Sequence, residues 1–186
     1  MIEIPDFVAH APLAPEVIAR YRDRVPAELV EIWEQYGTGT FAEGFIRIID
    51  PQQYEDGVGD CIGRVVDSTE SIPVMVTGLG DLITWEPGSG LIALIYREER
   101  LRGVGSSMQA FFTPVRAGGA KHLAFLFDWG LFPEAVQAHG APGFDESFVF
   151  VPLLSLGGKK KVANLKPRKT IEAIRMMVEF QGRIEH

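Results

Sequence analysis

A double glycine followed by three lysines, in LSLGGKKK, is the segment with the residue types for phosphate chemistry. A Walker A loop requires the pattern Gly-x-x-x-x-Gly-Lys-Ser/Thr, because its backbone amides wrap the phosphates and its hydroxyl group holds the metal ion. Here Leu153 lies five residues before Gly158, and Lys160 occupies the position of the hydroxyl residue. The spacing argues against a phosphate-binding loop. We interpret Gly157 and Gly158 as the sharp exit of a buried strand.

Residues that could bind metal or act as nucleophiles also lack the spacing that such chemistry requires. The four histidines are scattered along the chain, and Cys61 is the single cysteine. A zinc site needs closely spaced histidine and cysteine ligands, and no serine lies in a Gly-x-Ser-x-Gly elbow. The sequence therefore predicts no catalytic residues, no metal site and no cofactor.

Five acidic residues cluster in one segment that is rich in glycine, namely Glu55, Asp56, Asp60, Asp67 and Glu70. We expect residues 51–71 to be largely irregular and exposed. The surrounding half of the chain, residues 1–93, contains 16 acidic and 5 basic residues, a net charge of −11, whereas residues 94–186 have a net charge of +4. An acidic surface steers basic partners towards it. These five residues are the predicted partner-binding surface, and an ordinary solvated loop is the alternative interpretation.

Composition excludes several classes of protein. A chain of 186 residues is long enough to bury the core of one compact domain. The isoelectric point near 5.1 argues against a nucleic-acid partner, and no apolar run approaches the ~18 residues of a membrane span. A lone cysteine and an acidic N-terminus without an apolar signal segment predict a cytoplasmic protein.

The pattern of elements predicts an α+β fold. Helical periodicity and helix-terminal residues indicate helices at residues 15–21, 26–36, 106–112, 121–140 and 168–182. Strands are expected at 41–50, 72–77, 81–86, 91–97 and 147–154, and the central three read as an antiparallel meander. Because helices and strands do not alternate strictly, we expect a mixed, mainly antiparallel sheet packed with helices in a single compact globule.

Several stretches, in order, resemble one bacterial family. VPAELVEIWEQYGTGTFAEGFIRIIDPQQY, with its Trp-x-x-x-Gly helix end and Asp-Pro-x-x-Tyr exit, and TGLGDLITWE resemble the GAD-like domain. FPEAVQAHGAPGFDESFVFVPLLSLGG resembles the C-terminal immunity domain that accompanies it, and the opening is more distantly similar to Smi1/Knr4-like domains. The resemblance implies a GAD-like segment at residues 1–105 and an immunity-type segment at residues 106–186, packed as one unit.

The resemblance also implies a function, because proteins built in this way include immunity proteins paired with DNase effectors of type VI secretion systems. The resulting hypothesis is a non-enzymatic cytoplasmic protein that neutralises a cognate secreted toxin by occluding its active surface, and the expected toxin is a nuclease. Two alternatives stay open. One is an enzyme with a small-ligand pocket between the meander and the C-terminal helices, and the other is a regulatory interaction module of the Smi1/Knr4 kind.

Overall fold

Among the residues that the structure describes, seven strands form the central sheet, each antiparallel to its neighbours and arranged in chain order. The computed structural model describes residues 2–63 and 70–185. The strands of the sheet are β1 (Val8–Ala11), β2 (Thr38–Phe41), β3 (Ile46–Ile48), β4 (Ile72–Thr77), β5 (Leu82–Glu86), β6 (Gly90–Ile95) and β7 (Arg100–Gly105). Two further strands, β8 (Glu146–Phe150) and β9 (Leu165–Lys169), pair with each other in a separate antiparallel ribbon.

Helices cover both faces of the sheet. They are α1 (Pro15–Tyr21), α2 (Ala27–Tyr36), α3 (Pro51–Val58), α4 (Met108–Phe127), α5 (Leu131–His139) and α6 (Thr170–Gln181). α4 consists of two helical pieces joined at Gly119, whose φ is 52°. One core cluster unites the sheet with α1, α2, α4 and α5, and a second unites it with α3 and α6. None of the helices in the described ranges is long and apolar enough to cross a bilayer.

Strand β6 shows how the sequence produces this layered arrangement. All six of its residues are buried. Because side chains alternate along a strand, Leu91, Ala93 and Ile95 join the first cluster, while Ile92 and Leu94 join the second. A nearly continuous apolar run is typical of a strand that is covered on both faces.

The β8–β9 ribbon bridges the two core clusters. Phe148 and Phe150 belong to the first cluster and Val149 belongs to the second. The backbone N–H of Phe148 donates to the carbonyl oxygen of Gly78 at 2.8 Å, just beyond the end of β4. Core packing and a main-chain hydrogen bond therefore attach the β8–β9 ribbon to the seven-stranded sheet. This arrangement confirms the predicted α+β class, with a mainly antiparallel sheet in one compact globule.

The single strand expected at residues 41–50 is a hairpin instead. Ala42, Glu43 and Gly44 have φ values of 53°, 58° and 81°, and these left-handed residues reverse the chain between β2 and β3. The backbone N–H groups of Ala42 and Glu43 donate to the carboxylate of Asp6 at 3.2 and 2.7 Å. A side chain more than 35 residues away thus supports the turn, and local periodicity contains no trace of that contact.

Other boundaries also differ from the expectation. The segment expected to be irregular begins with the regular helix α3, and β7 and β9 were not anticipated. The helical region expected at residues 121–140 is divided at Asp128, which has a φ of 56°. The strand expected at 147–154 ends at Phe150, because Pro152 has no N–H to donate to a neighbouring strand.

Candidate functional site

Helix α3 positions the first two acidic residues of the predicted surface. The carboxylate of Asp50 caps the helix by accepting from the N–H groups of Gln52 and Gln53 at 2.8 and 3.2 Å, and Pro51 supplies a first-turn residue that needs no N–H partner. Tyr54 and Val58 bury one face of the helix in the second core cluster. Helical geometry therefore places the intervening acids towards solvent.

Glu55 and Glu70 converge on one arginine. The Arg24 guanidinium donates from Nε to Glu70 at 3.0 Å and from Nη2 to Glu55 at 3.5 Å. The Tyr21 hydroxyl also donates to Glu55, and the Arg24 guanidinium lies 4.9 Å from the centre of the Tyr21 ring. Burial, followed by the bond to Glu55, raises the pKa of Tyr21, so the hydroxyl group remains a donor at neutral pH.

Asp56 and Asp60 extend this surface along α3 and the short 3₁₀ turn that follows it. Asp56 accepts from Gln52 Nε2 at 2.7 Å. Asp60 forms a two-pronged ion pair with Arg175 of α6 at 2.7 and 3.2 Å, and that bond lowers the pKa of the Asp60 carboxyl. Arg175 also donates to the carbonyl oxygen of Gly57 at 2.9 Å, which fastens α6 to α3.

The structure thus gathers Glu55, Asp56, Asp60 and Glu70 on one side of the molecule, and we call these four residues the acidic surface. Asp67, the fifth residue of the prediction, lies outside the described residues. Two arginines, Arg24 and Arg175, stand among the four carboxylates and leave the group with a net negative charge. Sequence reasoning missed both arginines, since they lie 31 to 118 residues from the groups they bind.

Helix α2 exposes a second set of acids that the sequence reading did not select. Burial of Leu29, Val30, Ile32 and Trp33 turns Glu28, Glu31 and Glu34 outwards, three residues apart on one stripe. Glu34 pairs with Arg22 at 2.5 Å. The three-residue spacing of these glutamates was the signal that could have identified them.

The groups that could perform chemistry are dispersed or engaged. Within residues 2–63 and 70–185, no three histidine, cysteine or acidic side chains approach closely enough to hold a metal ion. Cys61 is buried, and burial followed by the charge of Asp60 raises the pKa of its thiol, which is the wrong direction for a nucleophile. The His10 ring stacks on the Phe144 ring at a centroid distance of 3.9 Å.

An ion network surrounds the buried side chain of Arg97. The Arg97 guanidinium contacts Asp81 at 3.0 Å, Glu98 at 2.8 Å and Asp128 at 2.9 Å, and Lys160 joins Glu98 and Asp128 at 2.7 Å. Arg97 and Asp81 are only 6% and 0% exposed. Each charge is paired with an opposite charge, and the network joins the β4–β5 turn, the turn after β6, the end of α4 and the loop before β9.

The protein has an α+β fold, and its acidic surface is braced by Arg24 and Arg175. Two family models match the chain: residues 2–96 match the GAD-like domain, and residues 106–181 match the family described as T6SS immunity protein Tdi1, C-terminal. The chain belongs to the GAD-like family. Its C-terminal segment is similar to the C-terminal domain of a type VI secretion immunity protein.

A solved structure shares the fold. The crystal structure of Atu4351 from Agrobacterium tumefaciens superposes with a TM-score of 0.73 over 93% of this chain and 85% of that chain, at 16% sequence identity. At that identity the likeness concerns the fold alone. No curated protein matches the chain.

Proposed function

We propose that this protein is an immunity protein that binds a cognate type VI toxin in the cytoplasm and blocks its active surface without chemistry of its own. The observation that carries the proposal is the match of residues 106–181 to the immunity-protein domain. The toxin is proposed to be a nuclease. Nucleases present basic side chains to the phosphate backbone, and a protein with an acidic half is complementary to such a surface.

The proposed contact includes the acidic surface. Asp56 and Asp60 are exposed, whereas Glu55 and Glu70 are held at fixed positions by Tyr21 and Arg24. Carboxylates that are already oriented lose little side-chain freedom when a partner docks, so preorganisation favours binding. Exposed charges of this kind mainly accelerate encounter, and buried contacts elsewhere in the interface govern dissociation.

The test is a kinetic comparison against the toxin encoded by the adjacent reading frame. The double variant Asp56→Asn/Asp60→Asn keeps hydrogen-bonding side chains at both positions and removes two charges. A matched control, Glu99→Gln/Glu134→Gln, removes two exposed charges from the β6–β7 turn and from α5. We expect several-fold slower association for the first variant at low salt. The difference should vanish near ~0.5 M salt, where the screening length is only ~4 Å.

The location of the interface and the immunity function would be contradicted by different outcomes. Equal association rates for the two double variants would place the interface away from the acidic surface but leave toxin binding intact. Absence of binding by the wild-type protein, together with no protection of cells that express the toxin, would refute the immunity function itself.

A further inference from the structure

Arg47, in the middle of β3, is a buried cation. It forms no ion pair with a carboxylate of the described residues. The residue is 1% exposed. Its Nη1 donates to the backbone carbonyl of Glu146 and to the Ser147 hydroxyl at 3.2 Å. Arg47 forms no ion pair with an acidic side chain of the described residues, and both of its hydrogen bonds there are donated by Nη1. Arginine retains its proton in proteins, so a full charge is buried.

Arg97, the other buried arginine of the described residues, has different surroundings. Arg97 is met by three carboxylates at 2.8 to 3.0 Å. The acids whose charges reach Arg47, Asp145 and Glu146, pair instead with Lys169 at 2.7 and 3.7 Å. Buried charges in proteins are normally paired, because an uncompensated charge in the interior is strongly destabilising. The described residues therefore provide no anion that pairs with Arg47.

Tyr54 does not supply that anion. Its phenol lies close enough for its charge state to influence Arg47. Burial raises the pKa of Tyr54 to about 12, although the positive charge of Arg47 opposes the rise. The phenol is therefore neutral at physiological pH and contributes no countercharge.

Arg47 lies in the wall of an open cleft that can admit an anion from solvent. The cleft has a volume of about 280 Å³ and lies between the β1–β3 edge of the sheet and α5 with the loop that follows it. Phe132, Val136 and Phe144 give it apolar walls, and the exposed carboxylate of Glu43 stands among its lining residues. The volume suits a small molecule, and Glu43 disfavours polyanions such as nucleotides.

We propose that this cleft binds a small monocarboxylic acid with an apolar body. The carboxylate accepts from the free Nε and Nη2 groups of Arg47, which have the fork geometry that favours a two-pronged bond. The hydrocarbon body contacts Phe132, Val136 and Phe144. This site is independent of the proposed toxin contact, because it uses no residue of the acidic surface.

Benzoate and its neutral analogue benzamide are the probes. In a titration of the wild-type protein followed by the NMR signals of the arginine Nε–Hε groups, we expect saturable movement of the Arg47 signal with benzoate. Benzamide should bind at least ten-fold more weakly, because it lacks the charge that Arg47 requires. Benzoate should also raise the thermal midpoint, since a ligand of the native state stabilises it.

A matched pair of variants locates the site. Ala141 is exposed and lines the cleft, whereas Ala138 is exposed on α5 and does not line it. We expect Ala141→Trp to fill the cleft and abolish the benzoate response, Ala138→Trp to retain it, and Arg47→Met to lose it. If Arg47→Met does not fold, the Ala141 and Ala138 variants decide the question alone. Equal binding of benzoate and benzamide, the absence of a saturable Arg47 shift, or full binding by Ala141→Trp would overturn the proposal.

Discussion

Two adjacent glycines after β8 are required for different physical reasons. Gly157 has a φ of 83°, in the left-handed region, but a Cβ atom there would meet nothing within 4 Å. At Gly158 a Cβ atom would lie 2.1 Å from the carbonyl oxygen of Pro152 and 2.7 Å from that of Leu153. Backbone oxygens cannot move aside as a flexible side chain can. Gly157 is therefore required because the turn needs a positive φ at that position. Gly158 is required because the turn leaves no space for a Cβ atom there.

This difference predicts a ranking of substitutions. Gly157→Ala should lower the free energy of unfolding by about 1 kcal/mol, the cost of a left-handed alanine. Gly158→Ala should lower it by about 2–3 kcal/mol, because the turn must open to admit the methyl group. Gly103→Ala, on exposed β7 with nothing within 4 Å, is the control and should stay within ~0.5 kcal/mol. Urea denaturation measures all three, and wild-type stability of Gly158→Ala would contradict the close contact.

At the scale of elements, the sequence predicted those helices and strands whose apolar residues show a regular spacing within a short stretch of the chain. The meander β4–β6 and the helices α2 and α6 were recognisable, because their apolar residues recur at strand or helix spacing within one short window. Helix α3 was not, because Gly57 and the acids obscure its periodicity. The glycine there has a tertiary role, since a Cβ atom would lie 2.9 Å from Ile171 of α6.

The candidate site follows the same rule. The sequence supplied the acids of the acidic surface, which lie close together in the chain. Their partners Arg24 and Arg175 come from distant elements, as does the Asp6 support of the β2–β3 turn. The spacing of residues within a short stretch of sequence carries no information about side-chain pairs between distant elements. Only the folded structure reveals such pairs.

The start of α3 yields a prediction about a whole element. Asp50 accepts from two otherwise unpaired N–H groups at the helix terminus. Asp50→Ala should therefore lower the free energy of unfolding by about 1 kcal/mol, and Asp50→Asn should recover most of it, since asparagine caps helices nearly as well. Thermal and urea denaturation of both variants provide the measurement. Equal losses for alanine and asparagine would show that the carboxylate charge, and not the cap, is what matters.

At the scale of the whole molecule, the Arg97 network connects the sheet with the later part of the chain. Asp81 lies between β4 and β5, Asp128 ends α4, and Lys160 belongs to the loop before β9. The network therefore supplements the shared apolar core with a polar connection. Protonation of a carboxylate in the network would remove the charge that its ion pairs require. The free energy of unfolding should therefore depend on pH.

Glu98 and Asp128 contribute to this dependence in one direction, whereas burial raises the pKa of Asp81 in spite of its ion pair with Arg97. Burial opposes ionisation of Glu98 and Asp128, but the hydrogen bonds from Lys160 and the charge of Arg97 outweigh it, so the pKa of each carboxyl lies below its usual value. A carboxyl with a lowered pKa stabilises the fold above its unfolded-state pKa of about 4. That contribution is lost as the pH falls through the lower, folded-state pKa.

Replacement of Lys160 tests this linkage. Lys160→Met removes two ion pairs of a side chain that is 40% exposed, so we expect a loss below ~1 kcal/mol at pH 7. The decline in unfolding free energy between about pH 5 and pH 3 should become shallower than in the wild type, because the pKa values of Glu98 and Asp128 return towards normal. Lys159→Met, one residue earlier and outside the network, should keep the wild-type profile. Urea denaturation across this pH range measures the slopes. A wild-type slope in Lys160→Met would show that Arg97, together with Arg100 at Glu98, maintains the lowered pKa values without Lys160.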